Sequence, residues 1–543
     1  MNVHSPRWGG LPLVPKRQGG RAAPADDRRA ALVVPVLVLG VMTTSISQVV
    51  VVPLLPILPR LTGASSSTVS WMVTVTLVVG AVVTPLLGRA ADMYGKRRVL
   101  LLSLAALTTG ALICAVTSNI GLLITARAVQ GIGAAVMPLS ISILRDMLPP
   151  PRVAGAVGMM TAVAGVGATI GLPFGGVLVR YGEWHTTFWV LALLAALALV
   201  LAWAVLGESP VRSPGRFDVF GAFGLTLALV CLLLAVTKGS DWGWAGPRTA
   251  TLLAVAAVAF AGWAAWELRA AAPLVDLRLS ARPALLLPNI ATLLIGFSFA
   301  FNSFATAQLV QVPAETGYGL GGSVLLGGLC TLPGGICMML LSPVSARIST
   351  AYDGRVSLAV GSSIMAVGYL VRIFTSESMA AILLGATVVA VGTALAYSSL
   401  PLLVMRAVPR DQTAAANGVN VLLRTVGQAT CSAVLAALLT HVTVTVVRSG
   451  SGAVEQAPAL EAFQLSFGVA GTVALAAVVV ALLTPRPPAA AGGSAAPGPV
   501  SVPAQATPAD AAGPAGTGGR AGAGAAGRAG DEQPATQPAP DRP

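Results

Sequence analysis

From about residue 31 to residue 484 the chain alternates between long apolar runs and short polar breaks. A helix needs about 20 predominantly apolar residues to cross hydrocarbon. Runs of that length lie at roughly 31–52, 69–88, 98–117, 120–142, 153–178, 187–206, 218–237, 248–267, 284–311, 320–342, 355–374, 379–404, 414–444 and 463–484, which predicts fourteen crossings. Backbone amides in lipid have no water to bond, so each run must satisfy its own N–H and C=O groups as a helix. The ten-residue alternating strands of a membrane barrel do not occur. The pattern predicts an all-α polytopic membrane protein.

Composition agrees: 55% of the residues are hydrophobic, 10% are charged and the mean hydropathy is +0.81, too apolar for a soluble globular chain. Residues 1–30 are basic and rich in Pro and Gly, and the apolar run that follows is too long for a signal-peptide core, so it is expected to stay as an anchoring helix. From 485 to 543 Ala, Gly and Pro dominate, which predicts a disordered tail with little to bury. The heavy use of Ala, Gly and Val suggests a high-GC bacterial source, hence a plasma-membrane location.

Charge sets the expected orientation, because Lys and Arg accumulate in cytoplasmic loops. With a cytoplasmic N-terminus, the inner segments hold 25 of the 33 Lys and Arg residues. The outer loops hold six (Arg60, Arg180, Lys238, Arg248, Arg372 and Arg448), and Arg127 and Arg424 fall inside predicted helices. Both termini are therefore expected in the cytoplasm. The net charge of +13 is dispersed over many loops instead of forming one stripe, which argues against nucleic acid. All five cysteines fall in predicted helices without a pairing pattern, and three scattered histidines give no metal spacing. No metal, no cofactor and no enzymatic activity are expected.

The densest charge is in "GRAADMYGKRR", residues 88–98, between the second and third runs. Its glycines permit a tight turn and close helix approach, its basic cluster suits an anionic leaflet, and its single carboxylate can engage a helix N-terminus or an arginine. Gly88, Asp92, Gly95, Lys96, Arg97 and Arg98 fall in the order G-x-x-x-D-x-x-G-[RK]-[RK]. In the fourth run, "LLITARAVQGIGAA" places Arg127, Gln130, Gly131 and Gly133 as R-x-x-Q-G-x-G, and an arginine inside a span is a candidate functional residue by default. In the fifth, "GVGATIGLPFGG" sets Gly167, Gly171, Gly175 and Gly176 along one flat helix face, with Pro173 to bend it.

These motifs resemble those of the major facilitator superfamily. "GRFDVFG", "DWGWAGP" and "WELRAAAPLVDLRL" are similar to the punctuation of its fourteen-helix drug:proton antiporter branch. In the exporter motif Leu172 stands where that branch has proline, which comes one residue late as Pro173. The resemblance covers about 31–484 and implies a six-helix bundle at 31–206, a linker with two inserted helices at 207–283 and a second bundle at 284–484. "ARISTAYDGR" sits in the second bundle where 88–98 sits in the first, with Arg347 for Arg89 and Tyr352 for Tyr94, but Thr350 in place of Asp92.

By resemblance the two bundles rock about a midplane site. Asp92, with Arg89, is expected to latch the cytoplasmic side onto the start of helix 13. Helices 1, 4, 9 and 12 are expected to line the cavity through Thr44, Gln48, Arg127, Phe301, Asn302, Gln308 and Tyr397, with the aromatic residues stacking a flat apolar ligand. Arg424, near Asn417, Asn420 and Gln428, fits either a structural network or a ligand contact. The implied function is export of small amphipathic or aromatic compounds by a monomer exchanging them for protons. No Asp or Glu lies near the middle of a predicted helix, so only Asp92 or the loop-proximal Asp146, Glu267 and Glu315 are available to carry a proton. Arg127 without a carboxylate leaves open a dedicated exporter of an anionic metabolite without proton coupling. A membrane sensor or scaffold is the alternative outside transport.

Overall fold

Several helices in this computed structural model start where the chain supplies a side-chain cap. Ser65 accepts the amide of Thr68, Asn119 those of Gly121 and Leu122, Asp218 that of Gly221 and Ser378 that of Ala381. A side-chain oxygen there satisfies amides that have no partner within the helix. The structure describes residues 24–485 other than 56, 182, 210, 214, 376–377 and 448–453, so the basic N-terminal stretch up to residue 23 and the tail beyond 485 lie outside the described residues.

Among the described residues fourteen helical spans are long and apolar enough to cross a membrane. They are span 1 (Leu32–Leu54), span 2 (Ser66–Tyr94), span 3 (Lys96–Val116), span 4 (Ile120–Met147), span 5 (Arg152–Leu178), span 6 (Trp184–Val205) and span 7 (Val219–Gly239). The others are span 8 (Pro247–Glu267), span 9 (Pro283–Gln311), span 10 (Leu326–Ala351), span 11 (Gly354–Phe374), span 12 (Met379–Ala407), span 13 (Arg410–Thr440) and span 14 (Leu460–Leu483).

Spans 1–6 pack on one another, as do spans 9–14, and the two sets meet along two seams, span 2 on span 13 and span 5 on span 10. Span 7 touches both span 2 and span 13 through Leu225, Leu229 and Leu233, which join Val78, Val82 and Leu422 in one apolar cluster. Span 8 rests on span 7 with only 11% of its apolar window buried, which leaves most of its surface for lipid. The carboxylate of Glu267 folds the turn that follows, accepting the amides of Leu274 at 3.0 Å and Val275 at 3.4 Å and the indole N–H of Trp263.

Span 4 is interrupted. Its helix Ile120–Gly131 tightens to a 3₁₀ turn at Ile132–Ala135 before Val136–Met147 resumes. Gly131 is where span 2 comes closest, since a Cβ there would lie 2.9 Å from the carbonyl oxygen of Thr76.

Three readings of the sequence are corrected. The run 414–444 is not helical to its end, because β1 (Thr443–Val447) pairs antiparallel with β2 (Val454–Pro458). "TVTVV" is a β-branched alternation that suits a strand. The Tyr318 hydroxyl donates to the carbonyl of Pro458, and burial raises its pKa. Lys238 and Arg372, counted as outer-loop charges, are buried in the helices Val219–Trp242 and Gly354–Phe374. Lys238 donates to Ser70 Oγ at 2.6 Å and to Asp241 at 3.0 Å, and Arg372 donates to Asn302 Oδ1 at 2.6 Å while lying 4.2 Å from the Phe467 ring. A long cationic side chain near a helix end can fold inward onto such partners, and a loop count does not see it.

Candidate functional site

At one end of the molecule the two halves are bonded directly. Asp92 is fully buried, and its two carboxylate oxygens accept the backbone amides of Ala414 at 3.2 Å and Ala415 at 2.8 Å, at the start of the helix Thr413–His441. A helix N-terminus carries unpaired amides and partial positive charge, so a carboxylate placed there is doubly favourable. Gly88, one turn earlier on span 2, allows the approach, because a Cβ at that position would stand 2.6 Å from the Ala414 carbonyl oxygen. Gly418 matches it from the other side, 2.9 Å from the carbonyl oxygen of Thr84 by the same measure.

The rest of the stretch supports this contact. Gly95, at φ +117°, makes the turn into span 3, a backbone conformation that L side chains rarely adopt. Lys96 is completely buried, bridging Asp146 at 2.6 Å and Asp92 at 3.8 Å, and Ser209 donates to the same Asp146 oxygen. The Arg97 amide donates to Glu208, its guanidinium to the carbonyl of Trp203, and Arg98 lies 3.8 Å from Glu208. Arg89 turns to Ser213 Oγ at 3.4 Å, so its hydrogen bond goes to the span 6–7 connection and not to Asp92. Arg145 of span 4 adds a second tie that the sequence reading missed. It donates to the carbonyls of Val408 and Pro409 and to Thr413 Oγ1 at 2.5 Å.

The mirrored loop of the second half is built with opposite polarity. Asp353, at φ +112°, stands where Gly95 stands, and Arg406 of span 12 donates to it at 2.8 Å. Thr350, in the Asp92 position, donates to the carbonyl of its own Arg347. The inter-half cap is therefore one-sided.

Between the halves lies a cavity of about 70 Å³. Thr44 and Gln48 of span 1, Met137 of span 4, Gly165 of span 5, Phe299 of span 9, Tyr397 of span 12 and Arg424 and Gln428 of span 13 are among its lining residues. The Arg424 guanidinium sits 5.2 Å from the Tyr397 ring, a cation–π distance, and points a nitrogen at Met137 Sδ across the interface at 3.3 Å. Among the described residues Arg424 is the only charged one in the lining.

Three of the residues expected to line the cavity do so: Thr44, Gln48 and Tyr397. The other four do not. Phe301 is fully buried against Tyr369 and Phe467. Two residues along a helix is about 200° of rotation, so Phe299 holds the cavity wall instead. Asn302 is held by Ala386 O and Arg372 beside a separate cavity, and Gln308 is exposed. Arg127 is completely buried within the first half, donating to the carbonyls of Ser47 at 2.9 Å and Met72 at 3.3 Å and to Gln130 Oε1 at 2.5 Å. It ties spans 1, 2 and 4 together, and charge balance comes from carbonyl dipoles.

The glycine stripe of span 5 faces its own half. Cβ atoms at Gly167 and Gly175 would lie 2.8 Å from Ser45 Cβ and 2.6 Å from the Val50 carbonyl oxygen, and one at Gly171 would run into Val49. Pro173 and Gly176 are half-buried in the same helix, Pro150–Tyr181. Close contact with span 10 comes from other positions, Gly158 against Ser342 and Thr169 against Gly335. Asn420, grouped with Arg424 from sequence, belongs to a separate network with Asn289 at 3.1 Å and Thr292 at 2.6 Å.

Two helical halves that meet at a small polar cavity, tied across one end by hydrogen bonds, define a multi-pass membrane transporter. The chain belongs to the Major Facilitator Superfamily, whose family model matches residues 37–432. It is 29% identical over 406 residues to the multidrug resistance protein Stp of Mycobacterium tuberculosis, covering 74% of each chain. It is 28% identical over 330 residues to the tetracenomycin C resistance and export protein of Streptomyces glaucescens, covering 60% of this chain and 59% of that one. The fold is also that of the human organic anion transporter MFSD10, with a TM-score of 0.59 and 19% identity over 84% of this chain and all of that one. Its relatives are membrane transporters, several of them named for drug resistance or antibiotic export, and not enzymes.

Proposed function

We propose that this chain exports small amphipathic or aromatic compounds across a bacterial plasma membrane by rocking its two halves about the cavity at Tyr397 and Arg424. The observation that carries the proposal is that cavity, which takes walls from both halves and sets two aromatic rings, Phe299 and Tyr397, 5.8 Å apart beside a guanidinium. The 70 Å³ present is far below the roughly 300–1,000 Å³ of an occupied small-molecule site. The halves must therefore separate to admit a substrate. The Asp92 end is the cytoplasmic one by the distribution of basic residues, and the chain works as a monomer with both termini inside the cell.

Proton exchange is the expectation brought by the drug:proton antiporters that the sequence resembles. The residues in hand do not favour it. Among the described residues no carboxylate lines the cavity, Asp92 is engaged by the amides of Ala414 and Ala415, Asp146 is bound to Lys96, Glu267 holds its turn and Glu315 is exposed. A second reading, export of an anionic metabolite without proton coupling, is favoured by Arg424 as the one charged side chain among the described lining residues. Efflux of the anionic dye fluorescein and of the cationic dye ethidium from cells producing the chain, with and without a protonophore, tests both. Efflux that collapses with the gradient supports antiport, and anion efflux that ignores the protonophore supports the second reading. Failure to move either dye, together with unchanged export of any other compound on Arg424→Gln, refutes the cavity as the transport site.

A further inference from the structure

Phe299 is the wall between two cavities. On one side is the central cavity with Tyr397 and Arg424, and on the other a pocket of about 20 Å³ between spans 5, 9, 10 and 12. Hydroxyls line that second pocket: Thr169, Ser303, Thr306, Thr331, Thr387 and Thr393. Every one of them donates its hydrogen to a backbone carbonyl of its own span. Thr169 donates to Gly165 at 2.9 Å, Ser303 to Phe299 at 3.2 Å and Thr306 to Asn302 at 2.5 Å. Thr331 donates to Gly328 at 2.7 Å, Thr387 to Leu383 at 2.6 Å and Thr393 to Val389 at 2.9 Å.

A hydroxyl has one hydrogen to donate and two lone pairs to accept with. With the hydrogens committed, what this pocket offers an incoming molecule is acceptor oxygen. The Asn302 amide adds at most one donor to these six acceptors, since one of its two Nδ2 hydrogens goes to Ala386 O and its Oδ1 accepts from Arg372. The central cavity has hydroxyls of the same kind, Thr44, Ser45, Thr76 and Thr425, each donating to a backbone carbonyl, but adds what the second pocket lacks, a guanidinium beside aromatic faces, with no carboxylate among the described lining residues. The two compartments are complementary to different ends of one molecule.

We infer that the substrate is a bipartite aromatic anion, whose charged end meets Arg424 and Tyr397 and whose far end carries hydroxyl or amino donors for the threonine-lined pocket, with Phe299 as the partition that sets the reach between them. This rests on the reading of the central cavity as the transport site and names the ligand class for it. Joining the compartments requires the Phe299 ring, which lies 5.8 Å from the Tyr397 ring, to move aside as the halves separate.

The test uses the full chain in lipid nanodiscs and three fluorescent probes. 7-Aminocoumarin-3-carboxylate has both groups, 7-(dimethylamino)coumarin-3-carboxylate keeps the acid and loses the donors, and 7-aminocoumarin keeps the donors and loses the acid. The first is expected to bind more tightly than either of the others by roughly 3- to 10-fold, the worth of about one net hydrogen bond. Thr387→Val with Thr393→Val removes the preference over the dimethylamino probe, and Arg424→Gln removes the preference over the probe without the acid. Equal binding of the three probes by the unsubstituted chain, or binding of none, overturns the inference without recourse to any variant. A valine pair that keeps the full donor preference overturns it too, while a simultaneous loss of binding in Arg424→Gln and Tyr397→Leu leaves the central-cavity reading standing. If those two variants bind all probes like the unsubstituted chain, the central-cavity reading falls with it.

Discussion

Replacing Asp92 by Asn keeps the shape of the side chain and removes its charge. The native carboxylate accepts two backbone amides, at 3.2 and 2.8 Å, at a helix N-terminus. Hydrogen bonds to a charged group contribute about 1.5–3 kcal/mol each. Asparagine has one acceptor oxygen, so it keeps one neutral bond and turns an NH₂ group toward the second amide. The favourable interaction with the helix dipole, about 0.3–1 kcal/mol, is lost with the charge. Together these weaken the closed state by about 2–3 kcal/mol, which shifts the ratio of closed to open molecules by roughly 30- to 150-fold. Spin labels on Tyr94→Cys and Asp411→Cys, in a chain whose five native cysteines are replaced by alanine, flank this contact and report its separation by pulsed electron resonance. The expected result is depletion of the short-distance population in Asp92→Asn, with loss of efflux at normal membrane abundance. An unchanged distance distribution, or equal efflux at equal abundance, refutes the latch.

Gly88→Ala should also open this end, because the new methyl group would lie 2.6 Å from a backbone oxygen that cannot turn away, whereas Gly155→Ala meets open space and should be neutral in the same efflux and abundance measurements. Arg127→Met should lower the thermal stability of the solubilised chain by roughly 2–4 kcal/mol through lost charge-assisted bonds, and an altered substrate range at normal stability would return Arg127 to a direct role in transport. Lys96→Met strands the Asp146 carboxylate with Ser209 and should cost about 3–5 kcal/mol in the same unfolding measurement. The double variant Lys96→Met with Asp146→Leu should recover most of that loss, and no recovery would show that the pair is not the coupled unit.

The spans were legible in the sequence because hydropathy is a local property that lipid enforces residue by residue. The residues around Asp92 left a helix N-terminus or an arginine open as its partner, and the resemblance pointed to the start of helix 13 together with Arg89. The carboxylate meets the amides there, while Arg89 turns to Ser213. Arg127 was not legible. Its partners are carbonyl oxygens of Ser47 and Met72, groups that every residue carries, so nothing in their letters marks them. The aromatic wall was placed on the right span but two residues off, Phe301 for Phe299, because "FSFAFNSF" puts aromatics on several faces and only tertiary packing selects one. The threonine pocket gave no signal, for its hydroxyls come from four spans far apart in sequence.

One property of the closed end follows from the atoms that Asp92 grips. Its partners are main-chain N–H groups, which every residue except proline carries. The identity of those side chains is thus not read by the carboxylate, and what limits them is packing, since Ala414 is fully buried and Gly418 must stay small. Inheritance can tune the charge of this joint from one side and its spacing from both.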